Sequence, residues 1–502
     1  MKTVMKKSIC LAVAAFAITA CNLDQFPYSE VAAIDYVKDD ASVNNLVIGS
    51  YNALHDVLYY EWAVTELRTD NSRMRVNKST SADSKLIEQL DQGTIVTANA
   101  WVQDYWDKTY AAICRANNVL AHLNVVKDPQ LKAQYEGEAR FLRAHLYFNL
   151  VRLWGPVFVV DKKPSPQEAR YMQRSPASVA YDLIESDLEK IVDEELLPLT
   201  MPSADLGRAD LKAAKALLAK VYVTRYKIGD DKYAKAKELL ADVIEACGSP
   251  ASAAALVPYD KVFATDNEMN AEIIFAVRYL SGNQGLGCPF STLFGPMNNG
   301  GNVVIGSPKH YNFPSDNLIA AYNENPGDKR KDVTLQESYI NATTGAVVND
   351  RFCNKFIQRS MTSEYDAEND WPVIRLADVL LLYAEISNEL AGPSDEALNY
   401  LNMIRERAGV AKYTLADLSS KYAFRVAVRN ERRLELAMEN QRFFDLQRWG
   451  ETVSTINDYI ANEAFYAAYD YTVNSVEEWQ MLLPIPVSVT NINRNVAQNP
   501  GY

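Results

Sequence analysis

The sequence of 502 residues predicts a mainly α-helical protein, built from about four tetratricopeptide-like helix pairs with long loop-rich inserts between them. Apolar residues recur at steps of three and four over long stretches, which is the period of an amphipathic helix. Glycine and proline separate these stretches in the way that helix–turn–helix connections require. Two pairs also share an internal spacing, since Tyr222 precedes Ala236 by 14 residues and Tyr383 precedes Ala397 by the same 14.

The helices can be assigned in chain order from this pattern. In the clearest case, apolar residues form one stripe over 138–154, and the Gly155–Pro156 step ends it. Ser394 is placed to cap the helix that follows it. The four pairs are expected within 138–192, 210–246, 373–408 and 421–462. Helices are predicted over residues 40–60, 101–123, 138–154, 176–192, 210–226, 233–246, 373–390, 395–408 and 421–449.

Two inserts, near 59–105 and 248–372, interrupt the helical pattern. Residues 281–311 contain seven glycines and three prolines, together with several aromatic residues. Long loops on a rigid scaffold are a common place for binding residues. We therefore expect one domain over residues 21–502, with its ligand site in these inserts.

The N-terminus predicts export and a lipid anchor. Lys2, Lys6 and Lys7 precede an apolar run over 9–18 that is too short to span a bilayer, as in a signal peptide. The small residues before Cys21 then resemble a lipoprotein signal. Residues 1–20 would be removed, and lipid on Cys21 would hold the protein in a membrane. An ordinary secretory signal is the alternative.

Composition narrows the classes of function. The formal charge is −13, with 51 Lys and Arg against 64 Asp and Glu, so nucleic-acid binding is not expected. The four histidines form no catalytic or metal-binding motif, and we predict no catalytic residue, no metal and no cofactor. Beyond the lipoprotein signal, the cysteines have no metal-site spacing, and a disulfide between any of them stays open. They are Cys114, Cys247, Cys288 and Cys353.

Blocks along the whole chain resemble the SusD/RagB family of outer-membrane lipoproteins. The blocks are Cys21-Asn22-Leu23-Asp24, EARFLRAHLYFNLVRLWGPV (138–157), GRADLKAAKALLAKVY (207–222), WPVIRLADVLLLYAEISNEL (371–390), ALNYLNMIRERAG (397–409), RNERRLELAMENQRFFDLQRWG (429–450), LLPIP (482–486) and QNPGY (498–502). The resemblance implies a surface-exposed lipoprotein in the outer membrane that binds an oligosaccharide and delivers it to a TonB-dependent transporter of the SusC type. It implies no turnover. A RagB-like peptide binder, a lipid-anchored glycosidase and a helical scaffold without a small ligand are the alternatives.

The matched blocks are scaffold, so the ligand site must be sought elsewhere. Sugars need exposed rings for their C–H faces and planar polar groups for their hydroxyls. We predict ligand contacts in three segments, the first of which the resemblance also implicates. The alternatives are that Trp62 lies in the core and that the glycine-rich loop is a flexible rim. The predicted residues are Tyr59, Tyr60, Trp62, Arg68, Asp70, Asn71 and Arg73; Trp101; and Phe290, Phe294, Asn298, Asn299 and Tyr311.

One helix could instead present a row of carboxylates. Glu431, Glu435 and Glu439 recur every four residues, and glycosidases use paired carboxylates. Arginines are interleaved with them at 429, 432, 433 and 442. We therefore interpret the row as part of an internal ion-pair network that fixes the helix.

Overall fold

The structure, a computed structural model, describes residues 37–75, 81–249, 256–463, 473 and 475–502. Cys21 and the signal segment 1–20 lie outside these residues. The described part of the chain is mainly helical, as predicted. Its α-helices are α1 (Asp40–Thr65), α2 (Ala82–Asp91), α3 (Ala100–Ala121), α4 (Pro129–Trp154), α5 (Pro166–Ala169), α6 (Ala177–Asp193), α7 (Leu211–Arg225), α8 (Asp231–Ala246), α9 (Tyr259–Val262), α10 (Phe290–Phe294), α11 (Asp316–Asn323), α12 (Arg330–Thr334), α13 (Leu376–Ala391), α14 (Asp395–Ala408), α15 (Lys421–Glu435), α16 (Arg442–Trp449), α17 (Thr452–Asn462) and α18 (Val487–Ile492).

The long helices begin at side chains that cap them. The Asp39 carboxylate accepts from the backbone N–H of Ser42 at 2.9 Å, and Asn99 caps α3 in the same way at 3.1 Å. Ser394 accepts from Ala397 at 3.3 Å, as predicted. Each cap satisfies a donor that the first turn of a helix leaves without a partner.

The helices pack one against the next along the chain. α3 lies between α1 and α4, α6 joins α4 to α7, and α8 joins α7 to α13. α13 then packs on both α14 and α15. Tyr222, Ala236, Tyr383 and Ala397 are all buried, which explains why the two pairs share their spacing. The packed helices form the frame on which the inserts lie.

Short antiparallel strands tie the inserts together. The longest pair joins β2 to β8, with Val277 opposite Trp371, and so connects the second insert to the start of α13. The other pairs are β1 with β3, β4 with β7, and β5 with β6. The strands are β1 (Ser72–Arg73), β2 (Ile273–Val277), β3 (Phe313–Pro314), β4 (Leu335–Gln336), β5 (Tyr339–Ile340), β6 (Val347–Val348), β7 (Phe352–Cys353) and β8 (Trp371–Arg375).

Four predicted helices differ from the observed ones by three or more residues. α1 ends at Thr65 and not at residue 60, and α4 begins at Pro129 and not at residue 138. Residues 373–375 belong to β8, so α13 begins at Leu376 and not at Val373. The predicted helix 421–449 is broken after Glu435, because Met438 and Asn440 have left-handed φ values of 67° and 60°. As a result, residues 421–462 form three helices in place of the predicted pair.

The break in that helix has a physical cause. The buried carboxylate of Glu66, from the end of α1, accepts from the backbone N–H of Met438 at 3.0 Å and of Asn440 at 3.1 Å. A continuous helix would engage these donors internally. The break therefore lets the first insert dock on the C-terminal part of the chain.

The carboxylate row is an internal ion-pair network, as the sequence predicted. Glu431 accepts from Arg330 at 2.6 Å, and Glu435 and Glu439 accept from Arg375 at 2.6 and 2.7 Å. All five side chains are buried. The partners come from other elements and not from the interleaved arginines. No described helix is both long enough and apolar enough to cross a membrane.

Candidate ligand-binding site

Four aromatic rings from three segments form one cluster, which we call the ring box: Tyr59, Trp62, Trp101 and Tyr311. Tyr59 stacks on Trp101 with ring centroids 5.7 Å apart, and Tyr311 stacks on Trp62 at 5.9 Å, each at an interplanar angle of 20°. The two indoles meet edge to face at 5.9 Å. The box is therefore two parallel ring pairs joined through their tryptophans.

The backbone places these rings by simple rules. Tyr59 and Trp62 lie three residues apart, on neighbouring positions of α1. Trp101 is the second residue of α3, and its position is fixed by Asn99, whose amide also donates to the carbonyl of Leu86 at 2.8 Å. The side of α1 and the first turn of α3 thus place their aromatic rings next to each other in the ring box.

Tyr59 is the half-buried ring of the box, and the other three rings are buried. Trp62 is 0% exposed and Trp101 only 6%, whereas Tyr59 and Tyr60 are half-buried. Tyr311 is 9% exposed, and its hydroxyl lies 3.3 Å from that of Ser84. The expectation that Trp62 and Trp101 form an exposed platform is corrected, because both indoles support the tyrosines from beneath.

Short helix α10 positions the second side of the box. The backbone N–H of Tyr311 donates to the carbonyl of Leu293 at 2.8 Å, and that of Tyr365 donates to the Thr292 hydroxyl at 2.8 Å. Tyr365 is half-buried and has a left-handed φ of 58°. No sequence pattern pointed to it.

Phe290 and Phe294 belong to the core and not to a binding surface. Both are 0% exposed. Phe290 packs on Trp371 at 4.6 Å, and Phe294 meets Trp62 edge to face at 5.2 Å. They face inward because α10 packs its apolar side beneath the box. Their predicted role as ligand contacts is corrected to one of support, and Trp371 is structural, as predicted.

The predicted polar contacts after Trp62 are also buried. Arg442 binds both carboxylate oxygens of Asp70, at 2.8 and 2.9 Å, and Arg433 binds the same carboxylate at 3.1 Å. Burial by itself raises the pKa of Asp70, but these two guanidinium groups outweigh it and lower the pKa to about 2. Asn71 accepts from Arg433 at 2.9 Å.

The two predicted arginines of this segment are engaged inside the protein as well. Arg68 donates to the carbonyls of Gln480 and Met481 at 2.8 and 3.0 Å. Arg73 donates to Glu463 at 3.1 Å. The chain after α1 turns into the interior and forms β1 there, so none of these four polar residues is presented to a ligand.

The glycine-rich loop encloses an open groove of about 560 Å³, lined by residues 297–301 and 305–308. We call it the glycine groove. Asn298 is exposed there, whereas Asn299 is buried and holds the loop. Its amide donates to the carbonyl of Pro296 at 2.7 Å and accepts from the backbone N–H of Val303 at 3.0 Å. Of the two predicted asparagines, only Asn298 is available to a ligand.

Glu364 joins the glycine groove to Tyr365, a residue close enough to Tyr59 and Tyr311 to help raise their pKa values. Its carboxylate accepts from the backbone N–H of Ser307 at 2.6 Å, and the next residue is Tyr365. Gly306 has a left-handed φ of 74°, and a Cβ there would overlap the Glu364 carboxylate. Backbone and carboxylate can approach so closely only because this residue is glycine.

The outer tyrosines are neutral hydrogen-bonding groups at neutral pH. Burial raises the pKa of Tyr59 to about 12, and nearby Tyr365, Asp83 and Tyr311 act in the same direction. Burial also raises the pKa of Tyr60, and nearby Asp104 acts in the same direction. Rings with polar tips beside an open groove of this size suit a ligand that has apolar faces and hydroxyl edges. Within the described ranges, no group of three or more His, Cys, Asp or Glu side chains is arranged to hold a metal ion.

Comparison with known proteins assigns the chain to a family. The sequence profile described as "SusD family" matches residues 264–502, and the one described as "Starch-binding associating with outer membrane" matches residues 22–223. The chain belongs to the SusD/RagB family. SusD-family proteins are glycan-binding proteins without catalysis, so the predictions of a binding protein and of a non-enzyme are confirmed at the level of the family.

Individual SusD-family relatives match over most of their length. SusD-like protein P25 of Formosa agariphila is 26% identical over 97% of both chains. Starch-binding protein SusD of Bacteroides thetaiotaomicron is 24% identical over 73% of this chain and 72% of its own. A laminarin-binding SusD-like protein of known structure is 25% identical, with a TM-score of 0.75 over 93% of this chain and all of its own. The predicted fold is therefore confirmed.

Proposed function

We propose that this protein captures an oligosaccharide on the ring box and the glycine groove, and delivers it to a SusC-like TonB-dependent transporter in the outer membrane. The observation that carries the proposal is the paired stacking of Tyr59 on Trp101 and of Tyr311 on Trp62 beside an open groove. Stacked rings are stiff, so a sugar face that packs on them costs little conformational entropy. Relatives named as starch-binding and laminarin-binding proteins support a glycan as the ligand.

Four of the five proposed contacts are residues that the sequence suggested, and the fifth, Tyr365, is not. The five are Tyr59, Tyr60, Tyr365, Asn298 and the exposed edge of Tyr311. Trp62 and Trp101 act by holding the tyrosines. In the same proposal, residues 1–20 are removed, residues 21–502 form the mature domain, and lipid on Cys21 anchors it at the cell surface.

A binding panel tests the proposal directly. The protein lacking residues 1–20 is run in affinity gels and calorimetry against laminarin, amylopectin, xyloglucan, alginate and a pool of peptides. Saturable binding to one polysaccharide class without product release supports the proposal. Binding only to peptides supports the RagB-like alternative, in which the groove takes an extended backbone. Release of shorter sugars would overturn the assignment of a non-enzyme.

Paired variants locate the site. Tyr59→Ala and Tyr60→Ala together are expected to abolish polysaccharide binding without unfolding the protein. Tyr422→Ala is the matched control, since Tyr422 is 71% exposed on α15 and lies outside the ring box. If the double variant and Tyr422→Ala lose polysaccharide binding equally, or if neither loses it, the proposed site is contradicted. Delivery is tested separately, by co-purification of the lipidated protein with its transporter from outer membranes.

A further inference from the structure

A second open groove lies beside α1. It has a volume of about 290 Å³, and we call it the α1 groove. Its lining includes two exposed aliphatic side chains, Ile48 at 51% exposure and Leu206 at 43%. Exposed aliphatic side chains that line one concave surface indicate a binding site more strongly than scattered ones do. α1 contributes Ile48, Tyr51, Asn52 and His55 to the lining, and other walls come from residues 206–208 and 276–278.

The α1 groove lies on the same face of α1 as Tyr59 of the ring box. Ile48, Asn52, His55 and Tyr59 recur at steps of four, three and four residues. This spacing places them within about 60° of one another around the helix axis. All four are exposed or half-buried. His55 is about one helical turn from Tyr59, so the two sites are separated by roughly 6 Å along the axis.

A continuous row of packed rings supports both sites from beneath. The imidazole of His55 stacks on Tyr279 with centroids 4.4 Å apart, and Tyr279 meets Phe290 edge to face at 6.3 Å. Phe290 stacks on Phe294 at 5.3 Å, and Phe294 meets Trp62 edge to face at 5.2 Å. The row leads from the wall of the α1 groove to a buried ring of the ring box. The two sites are therefore built on one packed core, which keeps their spacing.

Both arginines that line the α1 groove are paired with carboxylates. Arg208 donates to Glu138 at 2.8 Å, and Arg278 donates to Asp370 at 3.0 Å. The Nε2 of His55 donates to the carbonyl of Arg278 at 2.6 Å. Burial lowers the pKa of His55, so the ring is neutral near pH 7 and its Nδ1 is an acceptor. Apolar side chains beside amide and imidazole groups suit the C–H faces and hydroxyls of a sugar chain.

We infer that the α1 groove is a second binding site for the same glycan chain, so that the protein selects chains long enough to reach from Tyr59 to Ile48. The inference rests on the proposed function and deepens it. Ile48 and Tyr59 are 11 residues apart on α1, which corresponds to about 16 Å along the helix axis. A single sugar ring is far shorter than this distance and cannot occupy both sites. A chain that binds both sites gains affinity, because its second contact forms within the same complex.

A chain-length series tests the inference. A polysaccharide that binds in the panel is cut to its trisaccharide and its decasaccharide, and calorimetry measures the affinity of the protein lacking residues 1–20 for each. We expect the decasaccharide to bind about tenfold more tightly than the trisaccharide. Ile48→Ser with Leu206→Ser, the groove variant, should remove this difference and leave the trisaccharide affinity unchanged. Both side chains are exposed, so their loss leaves the core intact.

The matched control is Val179→Ser with Ile228→Ser, since these aliphatic residues are 43% and 54% exposed and lie outside the α1 groove and the ring box. The control should keep the full difference between the two fragments, whereas Tyr59→Ala with Tyr60→Ala should abolish binding of both. Equal wild-type affinities for the two fragments overturn the inference while the proposed function stands. A length preference that survives in the groove variant does the same. Failure to bind any polysaccharide overturns the proposed function, and the inference with it.

Discussion

The ring of Tyr59 lies parallel to the indole of Trp101, with centroids 5.7 Å apart and 20° between their planes. Because the tyrosine is half-buried and the tryptophan only 6% exposed, the pair has one accessible ring and one supporting ring. The supporting indole touches Trp62 as well, so Tyr59 and Tyr311 rest on a shared foundation. Stability and binding at this site can therefore be separated by choosing the layer that is changed.

Changing the supporting layer should cost stability. Trp101→Ala removes a nearly buried indole, and such changes cost about 3–5 kcal/mol of unfolding free energy. Trp101→Phe keeps an aromatic ring beneath Tyr59 and should cost clearly less. Urea denaturation of both variants checks this, with Tyr59→Ala as the comparison that loses binding at small cost in stability. A Trp101→Ala protein as stable as the wild type would show that the indole is not structural.

Gly306 and Gly301 offer a matched test of the glycine groove. Both have left-handed φ values, 74° and 83°, so alanine is strained at either position. At Gly301 a Cβ meets open space, whereas at Gly306 it overlaps the Glu364 carboxylate. Gly306→Ala should therefore displace Glu364 from Ser307 and weaken polysaccharide binding beyond the effect of Gly301→Ala. Calorimetry measures the polysaccharide affinities of the two variants. Equal affinities would show that the position of Glu364 does not affect ligand binding.

Glu66 should make the free energy of unfolding depend on pH between 4.5 and about 7. Burial raises its pKa from 4.5 to about 7, although the N–H donors of Met438 and Asn440 oppose the shift. Between these values the folded state binds the proton and the unfolded state has lost it. The stabilisation is thus present at low pH and is lost as the pH rises through 7, by on the order of 2–3 kcal/mol.

The variant Glu66→Gln cannot titrate, and its amide oxygen still accepts a hydrogen bond. The difference in unfolding free energy between wild type and Glu66→Gln should therefore change by that amount between pH 5 and pH 8. Urea denaturation at four pH values measures it. Exposed Glu245→Gln on α8 is the control and should give a constant difference. If the unfolding free energies of wild type and Glu66→Gln differ by the same amount at every pH, the pKa of Glu66 has its ordinary value.

Asp70 should prove structural and not ligand-binding. Asp70→Ala leaves Arg433 and Arg442 buried without their carboxylate, and loss of one partner from a buried pair costs about 3–5 kcal/mol. Under conditions where the variant is folded, its polysaccharide affinity should equal that of the wild type. Denaturation and calorimetry on the same preparation test both statements. Weakened binding by a fully folded variant would return Asp70 to the ligand site.

The lipid anchor proposed at Cys21 has a simple test. Cys21→Ala in the full chain removes the thiol that would carry the lipid. The variant should move from the detergent phase to the aqueous phase on Triton X-114 partition and should no longer incorporate labelled palmitate. Continued labelling would show that the anchor is elsewhere. Cys114→Ala is the control and should remain in the detergent phase.

The helical frame could be predicted from sequence because its signals are local. Apolar periodicity, the caps at Ser394 and Asn99, and the shared spacing of Tyr222 and Tyr383 all act within a few turns of helix. The break after Glu435 could not be predicted, since Glu66 lies 372 residues from Met438 in sequence. The apolar periodicity within one helix does not indicate a hydrogen-bond partner so far away in sequence.

The ring box and the glycine groove lie in segments that the sequence singled out, whereas the exposure of individual residues in those segments could not be predicted. Ring content and glycine content located the ring box and the groove, but they did not distinguish an outer ring from a supporting one. Trp62 and Tyr59 are both aromatic residues on one helix, and only the packing of Trp101 and Phe294 separates their exposures. Tyr365 was missed because its position comes from Thr292, 73 residues earlier.

The hydrogen bonds from Met438 and Asn440 to Glu66 also bear on the order in which the protein can be assembled. Ribosomes release the first insert long before residue 438, so the end of α1 must wait for most of the chain before its buried carboxylate finds these donors. Such distant contacts slow folding. The chain loses conformational entropy when it closes the long loop, before the contacts that stabilise the closed loop have formed. A nascent or truncated chain that ends before residue 440 would contain all four rings of the ring box. It would still lack the hydrogen bond from Asn440 that helps to hold the end of α1 in place.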